Sequence, residues 1–244
     1  MFMLTAFYWA IFSASSLVIG ALVALHIKLK PKDLGLIMSF GVGVLVSAVA
    51  FELVDEAFKV SHNLLVVLLG LILGAFIYTI SDYLISNKGG RAHKSTLKSK
   101  SESNGFSILL GTILDGIPES IIIGLSIASG ITVSYAMVVA VYISNLPEAI
   151  ASTSGLKDHW TNIKIYKLWI YVVLISGLAS VFGYLVFSIA GSSFRAFILT
   201  FSAGALLTMI ANNMMPEAYK ESGKLTGIIT TLGFCIAYLI SAAN

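Results

Sequence analysis

Two stretches of this apolar chain set acidic residues around a proline. Residues 113–124 read Ile-Leu-Asp-Gly-Ile-Pro-Glu-Ser-Ile-Ile-Ile-Gly, and residues 143–152 read Ile-Ser-Asn-Leu-Pro-Glu-Ala-Ile-Ala-Ser. On a helix, Asp115 and Glu119 are four apart and share a face, as do Ser144 and Glu148, with Asn145 three before Glu148. Carboxylates, a carboxamide and a hydroxyl gathered this way are oxygen donors, able to hold a cation or pass a proton. Pro118 and Pro147 lack an N–H and clash with the carbonyls of Leu114 and Ile143, so each helix is expected to kink or unwind there. Gly116 loosens the first helix further. Free carbonyl oxygens would then lie beside the acids.

The elements that position these residues follow from composition. Of the 244 residues, 57% are hydrophobic and 11% charged, with a mean hydropathy of +0.93. A soluble domain averages about 25% charged residues, so the chain is read as an all-α integral membrane protein. The single cysteine, Cys235, excludes an intrachain disulfide. The N-terminus lacks the basic region of a secretory signal peptide, and its first apolar stretch is expected to be a retained helix. A membrane helix needs about 20 apolar residues. Eight spans meet this, at 3–27, 34–54, 64–86, 105–129, 132–155, 166–190, 194–215 and 225–243. The expected breaks are Lys28–Asp33, Asp55–Asn63, a polar and flexible 87–104, a Gly130–Ile131 turn, Leu156–Ile165, Gly191–Ser193 and Pro216–Lys224. The whole of 1–244 is taken as one transmembrane domain.

Basic residues sort by side. Breaks after spans 1, 3, 5 and 7 hold thirteen of them: Lys28, Lys30, Lys32, Lys88, Arg91, Lys94, Lys98, Lys100, Lys157, Lys164, Lys167, Lys220 and Lys224. The opposite side holds two, Lys59 and Arg195. The positive-inside rule makes the first side cytoplasmic and puts both termini outside. A repeat crosses these spans. Shifted by 161 residues, Phe40, Gly43, Leu45, Ala50, Glu56, Ala57, Lys59 and Ser61 meet identical residues in 201–222. Spans 2 and 7 run in opposite directions, so the pattern is that of an inverted repeat of spans 1–3 and 6–8, with spans 4 and 5 at its axis.

Asp115 lies about ten residues into span 4, some 15 Å at helical rise, and Glu148 is at similar depth in span 5. A charge at mid-membrane costs about 2.5–3.5 kcal/mol on insertion scales. Three carboxylates together repel unless protons or a cation compensate. Prolines also kink membrane helices that have no function, and a protonated Glu can be a satisfied contact between helices. Two Pro-Glu pairs at matching depth, each with polar partners one turn back, favour a site.

These features resemble the ZIP (Zrt/Irt-like protein) family of divalent metal transporters, over essentially the whole chain. The family pattern in span 4 is His-Asn-x-Pro-Glu-Gly, against Asp115-Gly116-Ile117-Pro118-Glu119-Ser120 here; the closest likeness is to a prokaryotic branch reading Asp-Gly-Ile-Pro-Glu-Ser. In span 5 the family has His or Gln, then Asn or Asp, before Pro-Glu-Gly, against Ser144-Asn145-Leu146-Pro147-Glu148-Ala149. Span 7 offers Asn213-Met214-Met215-Pro216-Glu217-Ala218, and span 2 a looser match at Glu52–Ala57. The chain departs from the family where Asp115 and Ser144 replace histidines. Gly116 replaces the Asn of a second metal position, Ser176–Ser180 lacks the acid of span 6, and the thioether of span 2 falls at Val44 or Leu45. The resemblance therefore implies one metal position, held by Asp115, Glu119, Glu148, Asn145 and Ser144. It also implies spans 4 and 5 in a moving bundle, with spans 2, 3, 7 and 8 as a dimer-forming scaffold.

An oxygen-only donor set suits harder ions such as Mn²⁺ or Mg²⁺, whereas family membership points to Zn²⁺, Fe²⁺ or Mn²⁺. The expected function is transport of such an ion, as substrate, into the cytoplasm across the plasma or inner membrane. No cofactor, enzyme activity or nucleic-acid partner is expected, since no phosphate loop, nucleophile triad or nucleic-acid surface is visible. Two other functions fit the acids: a proton-coupled carrier of an organic solute, and a non-transporting protein with a degenerate site. Glu52, Asp55, Glu56 and His62 are expected at the outer entrance or as solvated helix ends, and Asn212, Asn213 and Glu217 as an exit relay or the same. His26, His93 and His159 map to the cytoplasmic edge.

Overall fold

A computed structural model of the chain describes residues 2–87, 105–128, 135–157 and 159–242, with side chains except at 85–87, 105–111, 114, 115 and 136. Among the described residues the protein is entirely helical. Its helices are α1 (Phe2–His26), α2 (Pro31–Ser61), α3 (Leu64–Asn87), α4 (Gly105–Ala128), α5 (Tyr135–Leu156), α6 (Asn162–Ile189), α7 (Ser192–Ser222) and α8 (Leu225–Ala242). Six of them, α1–α3 and α6–α8, are long and apolar enough to cross a membrane. This is an all-α, multi-pass membrane architecture. The expected 87–104 loop, with His93, and the Gly130–Ile131 turn lie outside the described residues, apart from Asn87, the last residue of α3.

Two expected breaks are helical instead. The chain does not leave the helix at Asp55; α2 runs on to Ser61 and ends at His62, whose φ of 49° is left-handed. Nor does it break at Pro216. Here α7 continues to Ser222 and stops at Gly223, a residue free to take its φ of 62°. Both continuations pass through a wide π-helical turn, Val49–Val54 in α2 and Ile210–Met214 in α7. The Asp55 N–H reaches back five residues to Ala50, and that of Met215 to Ile210. In α7 the wide turn eases the clash that Pro216 would make with the carbonyl of Asn212. In α2 no proline accounts for it, yet the two turns begin 161 residues apart. Elsewhere the ends are conventional. Pro31 opens α2 from an extended Lys30, and the Asn63 side chain accepts from the N–H groups of Leu65 and Val66 at the start of α3, at 3.0 and 3.4 Å.

The helices form two groups. One contains α2, α3, α7 and α8, packed chiefly as α3 on α7 and α8 on α2; the other contains α1, α4, α5 and α6, packed chiefly as α1 on α5 and α4 on α6. The groups meet where α2 touches α5 and α4 touches α7. Close approach depends on glycines. A Cβ on Gly74 would strike the carbonyl of Phe201, and one on Gly233 that of Phe40; a Cβ on Gly43 would strike the Thr230 carbonyl, and one on Gly204 that of Leu71. The α3–α7 and α2–α8 contacts therefore use matching residues. Outward faces of α3 and α8 are apolar, with Leu65, Ile72, Phe76, Ile228 and Leu239 exposed, as lipid-facing surfaces are.

Candidate functional site

Helices α4 and α5 both run through their prolines without unwinding, contrary to the looser of the two expectations. Glu119, one residue after Pro118, is buried at 2% exposure. On α5, which touches α4, Ser144 and Asn145 are buried at 2% and 5%, and one carboxylate oxygen of the partly buried Glu148 is out of reach of solvent. The Ser144 hydroxyl donates to the Val141 carbonyl at 3.1 Å, which leaves its oxygen lone pairs as the only coordinating function it can offer. Ser120 is turned back in the same way onto Gly116, at 2.7 Å. The side chain of Asp115 lies outside the described residues. Of the five expected site residues, one on α4 and three on α5 have described side chains, and three of these four are deeply buried.

Gly116 faces α6. A Cβ there would meet the Ser176 hydroxyl at an ordinary 3.9 Å. The Gly116 position and the first residue of the Ser176–Ser180 stretch are neighbours in space; one carries no side chain and the other only a hydroxyl.

Glu148 opens onto a cleft between α5, α2 and the wide turn of α7. Its walls are Met38, Pro147, Glu148, Ala151, Ser152, Asn213, Met214 and Glu217. It leaves about 20 Å³ open to the centre of a water-sized sphere, room for about one water or one ion. Asn213 and Glu217 lie on the wide turn and the helical turn that follows it. The Asn213 amide donates to the hydroxyl of buried Tyr78 on α3 at 2.9 Å, leaving its carbonyl oxygen as the acceptor end. Pro216 contributes no N–H, so this stretch has more backbone acceptors than donors. One Glu217 carboxylate oxygen is also out of solvent.

The structure therefore brings Glu217 and Asn213 to the same cavity as Glu148. It leaves Asn212 exposed on the same turn. At the other end of α2, Glu52 accepts a hydrogen bond from Ser241 of α8, and Asp55 pairs with Lys59 at 2.7 Å on an exposed surface. His26, His62 and His159 do not line the cleft. Met38, Ser152 and Tyr78 were not legible as site residues. Nothing near Met38 in sequence marks it, because its neighbours in the cleft come from α5 and α7. Met214 stood inside the Asn-Met-Met-Pro-Glu run, where the thioether was the available clue.

No family model matches the chain. Among curated proteins it is similar to one from Arabidopsis thaliana named "Putative zinc transporter", at 25% identity over 209 residues. The match takes in 84% of this chain and 33% of the Arabidopsis protein, so the chain spans about a third of that relative's length.

Proposed function

We propose that the protein is a divalent metal ion transporter of the ZIP type, moving Zn²⁺, Mn²⁺ or Fe²⁺ into the cytoplasm through a carboxylate site on α4 and α5. One observation carries this reading: Glu119 is 2% exposed within an apolar helix, and Ser144 and Asn145 are likewise buried on α5, a helix that touches α4. A doubly charged ion offsets the cost of keeping Glu119, Glu148 and Asp115 together at mid-membrane. The similarity to a protein named as a zinc transporter supports a transporter over an enzyme. The cleft beyond Glu148 has room for about one ion.

The ligands are Asp115, Glu119, Asn145, Glu148 and the Ser144 oxygen, around a single ion. The Gly116–Ser176 contact supports the count, because where the family draws a carboxamide and a carboxylate for a second ion this chain has a glycine and a lone serine hydroxyl. The ion leaves past Asn213 and Glu217. In our reading eight spans form an inverted repeat with both termini outside. The wide turns 161 residues apart and the matching glycine contacts of α3–α7 and α2–α8 support this. The basic loops then face the cytoplasm. An inside-negative potential favours uptake by about 2.3 kcal/mol per charge per 100 mV, and about twice that for a divalent ion.

Uptake of radiolabelled Zn²⁺, Mn²⁺ and Fe²⁺ into proteoliposomes tests the proposal. Wild type should load at least one ion, and Glu119→Ala and Glu148→Ala should load none above empty liposomes. Uptake unchanged in both variants would remove the site assignment.

A further inference from the structure

We infer that Met38 and Met214 determine which divalent ions pass the cleft, favouring the softer ones. The inference rests on the proposed transport function and concerns selectivity within it. Both methionines are more than nine-tenths buried, at 4% and 7% exposure, and they reach the cleft from different helices. They share its wall with the carboxylates of Glu148 and Glu217 and the Asn213 amide.

The repeat shows that packing alone does not call for methionine here. The residue 161 positions after Met38 is Leu199, and the residue 161 before Met214 is Leu53. Both leucines are buried in the main hydrophobic cluster. Leucine and methionine exchange with little change of volume. Met214 belongs to the same cluster and Met38 to a smaller one, but both also line the cleft with Glu148 and Glu217, and there the chain has methionine where the repeat has leucine. What methionine adds is a polarizable thioether, a donor that suits soft and borderline ions such as Cd²⁺ and Zn²⁺ better than Mn²⁺. The oxygen donors on α4 and α5 would accept hard and borderline divalent ions alike. Discrimination then falls to the cleft.

Competition uptake in proteoliposomes tests this, with Met38→Leu, Met214→Leu and the double variant, each checked for a monodisperse elution profile. The double variant should lower Cd²⁺ and Zn²⁺ uptake relative to Mn²⁺ by about tenfold, with Mn²⁺ uptake itself little changed and the single variants in between. An unchanged ratio in a folded double variant overturns the inference and leaves the transport proposal standing. A wild type that moves no ion overturns both. If the double variant is not monodisperse, cadmium-edge X-ray absorption of the full chain carrying Cys235→Ser decides. A sulfur neighbour to bound Cd²⁺ supports the inference, and an all-oxygen shell overturns it.

Discussion

The cleft beside Glu148 is walled in part by small and sulfur-bearing residues; the residues at the corresponding repeat positions in the sequence are branched and apolar. A shift of 29 residues carries Pro118 and Glu119 onto Pro147 and Glu148, and takes Ile122 and Ile123 onto Ala151 and Ser152. The shift of 161 takes Glu52, Leu53 and Glu56 onto Asn213, Met214 and Glu217. Ile122, Ile123, Leu53 and Leu199 all belong to the main hydrophobic cluster; Met214 shares that cluster and Met38 and Ala151 a smaller one, but these three, with Ser152, also line a cleft. Among the described residues, one sequence plan thus gives packed core positions on one side and cleft-lining positions on the other. In the proposed carrier, that difference in side-chain volume would set the side from which the carboxylates are reached.

Charge removal should have the largest effect, and it should be symmetric. Glu119→Gln and Glu148→Gln should both reduce ion uptake to the level of empty liposomes, because in the proposed site each acid serves the same ion; loss of uptake in only one variant would break the pairing. Filling the cleft comes next. Ala151→Ile with Ser152→Ile copies the α4 sequence onto α5 and should lower uptake about tenfold or more, with binding at Glu119 retained in equilibrium dialysis. Glu217→Gln should slow uptake by about tenfold, and Glu56→Gln by less, since Glu217 lines the cleft beside Glu148. A smaller, structural effect is expected at the helix contacts. Gly43→Ala and Gly204→Ala should each destabilise the protein by about 1–3 kcal/mol, read as similar drops in melting temperature in detergent. The smallest belongs to Asp55→Asn, which breaks an exposed pair with Lys59 and should leave melting temperature and uptake unchanged.

Much of the fold could be read from hydropathy, because a helix facing lipid must be apolar over its whole length. The starts and ends at Pro31 and Asn63 follow from local chemistry that a sequence displays. Asp55 and Pro216 misled because polar residues and a proline normally close a helix. The wide turns let both helices continue, and their geometry has no local sequence mark at Val49–Val54. The burial of Glu119, Ser144 and Asn145 followed from spacing within single helices. The cleft did not, since Met38, Ser152 and Tyr78 become its neighbours only when α2, α3, α5 and α7 pack together.

Crystals soaked separately in Zn²⁺ and Mn²⁺, measured on either side of each metal's absorption edge, test the central claim most directly. The account expects one anomalous peak between α4 and α5, within coordination distance of Glu119 and Glu148, that disappears in Glu148→Ala. Peaks confined to surface residues, with none between these two helices, would contradict it.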